Sequence, residues 1–532
     1  MCETVYYLVQ GAWPCWYGPS VSVVHCAASK GLSDQTARSR QDRVPLVDAV
    51  RAAGDVNTVY PFHIPGHKRG LGAPEAVKDI IGPGTLRYDL TEVKGLDYLS
   101  YPTGVIQEAQ DLAAEAFGAE QTWFLVNGTT AGIHAAVMAT CGPGTALLVA
   151  RNCHLAAFSA LVLSGAIPEW MRPECNSAVG IAVSLSVQAL QAALAKAASM
   201  QLRVGAVLVV SPSYYGTCSD IAGLATLCHE HHIPLIVDEA HGGHFAFAEQ
   251  FPQSALSQGA DIAIQSTHKV LGSMGQSSML HAQGALVDRT RISRALQTLQ
   301  TSSPSYLLMS SLDAARHQAM QPSTWTEPIQ AAMRICEGLC NLPGITLLEG
   351  LPGALESDLL RITVVVDGLL LTGWKVSEIL QQEHAVIPEL ASLKVVVFAL
   401  GPGTTLQHAE GLIRAMDAIC SKHAQQRNVQ AGQAASNLAE LLALGVSCMQ
   451  QEADMATTPR EAAFLSARRV PIQEACGCVS AELLCPYPPG VPVLFPGEYI
   501  RQDTIMLLQA VQNMGGVVMG AGDESLHTIG VL

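Results

Sequence analysis

Two short runs near the middle of the chain carry side chains that can do chemistry together. They are Asp238-Glu239-Ala240-His241-Gly242 and Ser266-Thr267-His268-Lys269. Each follows an apolar strand-like run, Leu235-Ile236-Val237 and Ile262-Ala263-Ile264. A carboxylate at one strand end can keep a ring nitrogen protonated, and an amine just past the next can form a Schiff base with an aldehyde. Together these are the two demands of pyridoxal phosphate chemistry. Lys269 precedes the small-residue stretch Leu271-Gly272-Ser273-Met274-Gly275, which admits a cofactor at close range; the plain alternative is a loop cap. Asp238 reads either as a helix cap or as a buried carboxylate whose cationic partner is a pyridinium N–H. His241 either bonds a ring substituent or the substrate, or is a satisfied core histidine.

A phosphate needs several donors. Asn127-Gly128-Thr129-Thr130 follows the expected strand 122–126 and leads into a helix. Backbone N–H groups and hydroxyls at a helix N-terminus form an anion site. Thr129 and Thr130 therefore join Ser266 and His268 as candidate phosphate donors. His154, after the expected strand 146–150, is placed to stack on the ring, unless it is a surface histidine. His229-Glu230-His231-His232 lacks the His-Glu-x-x-His spacing and reads as a polar helix end before Pro234, so no metal site is expected. A nucleotide-type phosphate loop and a Gly-x-Ser-x-Gly elbow are both missing from the sequence.

These residues must be carried by a framework. Strand signals at 122–126, 146–150, 206–210, 235–237 and 262–264 alternate with helical periodicity at 133–140 and 224–231, and a helix ends at 161–165. Short apolar strands separated by helices imply an α/β fold with a mainly parallel sheet covered on both faces. Ligand chemistry then belongs at the carboxyl ends of the strands, where these motifs fall. Helices are expected at 46–53, 105–117, 305–317 and 327–339, and the strands 360–366 and 395–399 belong to a second, smaller unit. The polar, Gln/Ala-rich stretch 421–436 reads as a linker or exposed helix. The expected segmentation is 1–44 extension, 45–320 amino-terminal arm and large domain, 321–436 small α/β domain and linker, and 437–532 carboxyl-terminal domain.

Composition bounds the possibilities. At 532 residues the chain is too long for one ordinary core. Hydrophobic residues make up 49% and charged residues 14%, so most of it can pack. A net charge of -15 with no basic block argues against nucleic acid as partner. The 15 cysteines are scattered without a disulfide frame or a paired metal-ligand spacing, which points to a reduced, intracellular protein. No apolar run reaches the ~18 residues of a membrane span. Residues 1–43 hold three acids, four bases and the small-residue run Val24-His25-Cys26-Ala27-Ala28-Ser29. They read either as a plastid transit peptide or as an amino-terminal extension, so the expected location is cytoplasmic or plastid.

Taken together, the motifs identify a family resemblance. The chain from about residue 45 onward resembles the bacterial-type ornithine/lysine/arginine decarboxylases. The carriers are Pro61-Phe62-His63-Ile64-Pro65-Gly66-His67-Lys68, Asp89-Leu90-Thr91-Glu92, Phe124 to Thr130, Arg151-Asn152-Cys153-His154 and the two opening motifs, then Ser480-Ala481-Glu482, Cys485-Pro486-Tyr487-Pro488-Pro489-Gly490 and Pro496-Gly497-Glu498. The resemblance implies the aspartate-aminotransferase fold (type I) with a small α/β domain and a carboxyl-terminal α+β domain, and pyridoxal 5'-phosphate as cofactor. It implies that Lys269 holds the cofactor covalently and Asp238 pairs with its pyridine nitrogen. His154 would stack on the ring, and Thr129, Thr130, Ser266 and His268 would hold the phosphate. His241 would sit beside the reacting centre, with Lys269 or His241 as proton donor. Glu498 would meet the substrate's distal cation. The short form without the family's wing domain implies a homodimer or tetramer with shared active sites.

The sequence departs from the family pattern at Leu155-Ala156 (usually Lys-Ser), Tyr98-Leu99-Ser100 (usually Asp-Leu-His) and Gly477-Cys478-Val479 (usually Gly-Arg-Ile). The expected reaction is decarboxylation of arginine, lysine or ornithine. Another pyridoxal phosphate activity, an aminotransferase or lyase, or a catalytically impaired regulatory homologue are the alternatives.

Overall fold

Strands buried on both faces need near-continuous apolar runs, and Ala146–Ala150, Ala206–Val210, Leu235–Val237 and Ile262–Ile264 meet that condition. In the computed structural model, residues 40–56, 59–348, 356–423, 442–451, 454–487, 491–513 and 516–532 are described. The chain divides into two units, 1–42 and 43–532, and the second carries everything below. Its main sheet has seven strands. In chain order they are β1 (Gln121–Leu125), β2 (Thr145–Ala150), β3 (Ile167–Met171), β4 (Arg203–Val210), β5 (Leu235–Asp238), β6 (Ile262–Gln265) and β7 (Ser278–Ala282). Across the sheet the order is β1-β7-β6-β5-β4-β2-β3.

The five strands β6, β5, β4, β2 and β3 are parallel, as expected. Strand β7, for which the sequence signal was missed, runs antiparallel to both β1 and β6. Between β6 and β7 the chain makes only a short helix, Thr267–Val270, and a Gly/Ser-rich turn. Without a crossover helix to carry it back across the sheet, the chain returns in the opposite direction. This reversal seats the segment bearing Lys269 at the edge where β5 ends.

Alternate residues feed alternate faces. Leu147, Val149 and Leu208 pack into one apolar layer, with Ile133, Ala136 and Leu161. Ala146, Leu148, Val207 and Val209 pack into the other, with Leu190, Leu194 and Leu224. The helix Gly128–Thr140 lies close against the first face. A Cβ at Gly132 would come within 2.6 Å of Ile264 and 2.7 Å of Leu125, so only glycine permits that approach.

A second, antiparallel sheet follows: β8 (Thr346–Leu347), β9 (Arg361–Val365), β10 (Leu390–Ala391) and β11 (Val395–Ala399), in the order β8-β9-β11-β10. Val364, Val366, Leu339, Leu380 and Met416 share one apolar cluster, which joins this sheet to the helices Ser323–Leu339, Gly373–His384 and Leu406–His423. The helix expected from 327 begins at Ser323, because Trp325 on its first turn is buried in the same cluster. Toward the carboxyl end, Arg468–Pro471 pairs with Thr528–Val531 over a core containing Leu484, Leu508, Ile529 and Val531.

The leader residues 1–39, most of the polar stretch 421–436 and Pro488 to Gly490 lie outside the described residues. Among the described residues the cysteines are free thiols, and no helix is long and apolar enough to cross a membrane.

Candidate active site

Strands β5 and β6 are parallel neighbours, with Asp238 in register opposite Ile264. The residues that follow each strand therefore emerge together at one sheet edge. Asp238 is 5% exposed, and its Oδ1 accepts a hydrogen bond from the Ala240 amide at 3.2 Å. Burial pushes its pKa up to about 6, against the opposing pull of Lys269. Glu239 serves the interior instead: its carboxylate accepts from the Ala255 amide and from Gln265 Nε2.

Lys269 reaches back to this edge from the short helix after β6. Its Nζ lies 3.2 Å from His241 Nε2. The residue as a whole is open to solvent, yet protein atoms crowd its amine. That crowding lowers its pKa, and Arg361 adds to the effect while Asp238 and Glu389 oppose it. His241 is buried, and its pKa is driven far down by burial first and then by Arg361 and Lys269. The imidazole of His241 is therefore neutral. The Tyr214 ring lies 5.1 Å from it, centroid to centroid.

The anion end of the site forms where β1 runs into the helix Gly128–Thr140. Gly128 takes a φ of +71°, and the helix start has no side-chain cap among the described residues. Its first N–H groups are thus left for another acceptor. Thr129 is buried there, with Oγ1 bonded to Ser266 Oγ and 3.1 Å from Ser278 Oγ. Thr130 is exposed on the same turn. His268 is bonded through Nδ1 to the Ser277 carbonyl at 2.7 Å. Ser278 was not singled out from sequence, since a serine opening a strand carries no distinguishing signal.

His154 caps the helix Leu155–Ser164: its Nδ1 accepts from the Ala156 amide at 3.2 Å. Burial and the charge of Lys269 push its pKa to about 4, so this ring too is neutral. Ala156, at a position of departure from the family pattern, is fully buried.

Arg361 was also missed, and it enters from the second sheet at the start of β9. Its Nη2 donates to His241 Nδ1 at 2.6 Å, and its buried Nη1 has no partner among the described residues. A lone arginine in the apolar run Leu360 to Val366 was the available signal, because arginine is rarely buried without a specific partner. Its backbone is held firmly. A Cβ on Gly216 would come within 2.8 Å of Arg361 Cβ, the Asp358 amide donates to the Gly216 carbonyl at 2.7 Å, and Asp358 Oδ1 meets His244 Nε2 at 2.9 Å.

Glu498 is engaged elsewhere. Its two carboxylate oxygens lie 2.8 and 3.0 Å from Arg151 Nη2, and one accepts from the Phe495 amide. The Arg151 guanidinium lies over the rings of Trp170 and Phe495, and both partners of the pair are buried. Of the residues singled out from sequence, Asp238, His241 and Lys269 gather at one end of the site, with His154 beside them. Thr129 and Ser266 gather at the other. The hydrogen bonds of Glu498 go to neither group.

Residues 44–342 match the sequence profile of the Orn/Lys/Arg decarboxylase major domain, and residues 443–520 match that of its C-terminal domain. The chain belongs to the Orn/Lys/Arg decarboxylase family. It is similar to arginine decarboxylase of Bacillus subtilis, with 35% identity over 92% of this chain and 98% of that protein. It is also similar to an arginine decarboxylase of Halalkalibacterium halodurans, with 33% identity over 93% of this chain and 98% of that one. In fold it matches lysine decarboxylase A from Pseudomonas aeruginosa, with a TM-score of 0.79 at 22% identity, covering 94% of this chain and 82% of that chain. As a member of this decarboxylase family the chain is a carboxy-lyase acting on a basic amino acid, and the expected type I α/β architecture is the one it adopts.

Proposed function

We propose that this decarboxylase uses pyridoxal 5'-phosphate and that its substrate is arginine. The observation that carries the cofactor reading is the conjunction, at one sheet edge, of a buried carboxylate, a crowded lysine amine and an uncapped helix start lined with hydroxyls. Each fits one part of the group. Asp238 is buried at a cost expressed in its raised pKa, and a protonated ring nitrogen supplies the cation that lowers it. The first turn of Gly128–Thr140 with Thr129, Thr130, Ser266 and Ser278 suits a phosphate, with His268 beside it. Lys269 would hold the aldehyde carbon, and His154 would cover the ring face.

When bound, the cofactor supplies an electron sink that accepts the pair left on Cα as CO2 departs. The protein's own residues do the rest. Asp238 would pair with the ring nitrogen and keep it charged. His154, neutral and fixed as a helix cap, would lie against the ring. Lys269 and His241, in contact with each other, are the groups able to deliver a proton to Cα. The preference for arginine rests on the substrate named for the two Bacillus-type relatives.

Release of CO2 from arginine, lysine and ornithine, measured on the purified protein, tests the substrate. Turnover of lysine or ornithine in preference to arginine refutes the assignment. Lys269→Ala should abolish the visible absorbance of the lysine-bound cofactor, and an unchanged spectrum refutes the role of Lys269.

Self-association belongs to the same reading. Exposed apolar side chains concentrate between residues 56 and 101, with Tyr60 83%, Phe62 95%, Leu71 82% and Ile80 83% exposed. Such density on a surface favours burial against a second copy, and sedimentation of the intact protein as a monomer would refute a homodimer or tetramer. The acid-poor segment 1–43 keeps the plastid-leader reading, which a fluorescent fusion of that segment tests by its location.

A further inference from the structure

We propose that Arg361 sets the protonation state of Lys269 by fixing the tautomer of His241. The inference rests on the reading of Lys269 as the amine that carries the cofactor. The argument is one of donors and acceptors. A guanidinium can only donate. Arg361 Nη2 lies 2.6 Å from His241 Nδ1, so that nitrogen accepts and carries no proton. The ring cannot be turned over, because a carbon would then sit at that distance from a cationic N–H. A neutral imidazole with a bare Nδ1 has its proton on Nε2.

Nε2 faces Lys269 Nζ at 3.2 Å. An ammonium has three donors and no acceptor, so it would meet this N–H proton against proton. A neutral amine has a lone pair and accepts it. The Arg361–His241–Lys269 chain of contacts therefore selects the neutral amine, the form that attacks an aldehyde carbon.

The surrounding charges are few. Asp238 and Glu389 favour the ammonium, Arg361 opposes it, and His154, His268 and the Tyr214 ring join Arg361 and Lys269 as the groups facing His241. Burial is the largest influence on Lys269 and lowers its pKa; Asp238 comes next and opposes it, and Arg361 adds to the lowering. Arg361 stands 120 residues from His241 in sequence and is carried by the other sheet. The docking of that sheet, through Gly216 and the Asp358–His244 pair, thereby arms the lysine. Arg361 is a positioning residue: it acts through His241.

The test reads Lys269 directly in the cofactor-free protein. Its rate of reductive methylation by formaldehyde and cyanoborohydride is followed against pH by mass spectrometry, with Lys375 as the exposed reference. Wild type should label with a midpoint below that of Lys375. Arg361→Met removes both donor and charge and should raise the midpoint by about one pH unit, roughly tenfold less labelling at neutral pH. Arg361→Gln keeps an N–H without the charge and should shift the midpoint clearly less than Arg361→Met. Equal shifts in both variants would mean that charge alone acts and would overturn the proposal, as would no shift in either.

A second measurement does not depend on the variants folding. Nitrogen-15 spectra of histidine-labelled wild type, assigned by difference from His241→Gln, should show His241 neutral with its proton on Nε2. A proton on Nδ1 overturns the proposal. If added pyridoxal phosphate gives no spectral change while the labelling profile stands, the cofactor reading fails and the tautomer proposal survives.

Discussion

Breaking the Arg151–Glu498 pair should have unequal consequences according to which partner is removed. Arg151 is 3% exposed and Glu498 5%. Glu498 binds Arg151 Nη2 through both oxygens, while Nε and Nη1 of that arginine are buried without partners among the described residues. In Glu498→Gln the guanidinium keeps its charge, because arginine does not give up its proton within the working pH range. An uncompensated buried charge of this kind costs about 3–5 kcal/mol. At about 1.4 kcal/mol per decade, that is roughly two to three and a half decades in the local opening equilibrium.

Arg151→Met is the milder change. The methionine stem can stay against Trp170 and Phe495, and the stranded Glu498 escapes by taking a proton, toward which burial already pushes it. The assay is hydrogen exchange of peptides spanning residues 491–513 in both single variants and the double variant. Glu498→Gln should open most, Arg151→Met less, and the pair combined should recover part of the loss. The reasoning is refuted if Glu498→Gln exchanges like wild type. If that variant also raises KM for the substrate without a stability change, Glu498 reads the substrate's distal cation and the pairing with Arg151 is dispensable.

Asp238→Asn should lower turnover roughly 10²-fold or more while the cofactor remains bound, since a neutral amide cannot hold the ring nitrogen charged; steady-state kinetics with a cofactor spectrum checks both halves. The cofactor-free protein should also lose stability as pH rises from about 4 to about 6. The folded pKa of Asp238 is raised to about 6, so in that window the native state holds a proton that the unfolded chain has released. Above pH 6 the loss amounts to about 3 kcal/mol, and urea melts of wild type against Asp238→Asn should converge near pH 4. Gly132→Ala forces a methyl within 2.6 Å of Ile264 and should destabilise by about 1–3 kcal/mol, seen as a lower melting temperature. Gly128→Ala places a side chain at a φ of +71°, and it should weaken cofactor retention in dialysis more than it lowers the melting temperature, because that turn faces the anion end.

What could be read from the sequence was whatever neighbouring residues decide. The strands β2, β4, β5 and β6 were legible because burial on both faces demands an unbroken apolar run, and 105–117 because its helical spacing is regular. Asp238, His241 and Lys269 were legible because each lies within a few residues of the strand end that aims it. The antiparallel return of β7 was not, since its direction depends on how the chain crosses the sheet rather than on its composition.

Tertiary structure alone decided the partners. Thr129 meets Ser278 because β1 and β7 pair at a separation of 149 residues. Glu498 meets Arg151 across 347 residues. Arg361 meets His241 because a glycine at 216 lets a second sheet come close enough to insert a guanidinium. Local sequence sets which side chains stand at a strand end. Whether a buried histidine there is met by a cation, and on which nitrogen, depends on the docking of distant segments, whose mutual fit is expressed only when both are folded.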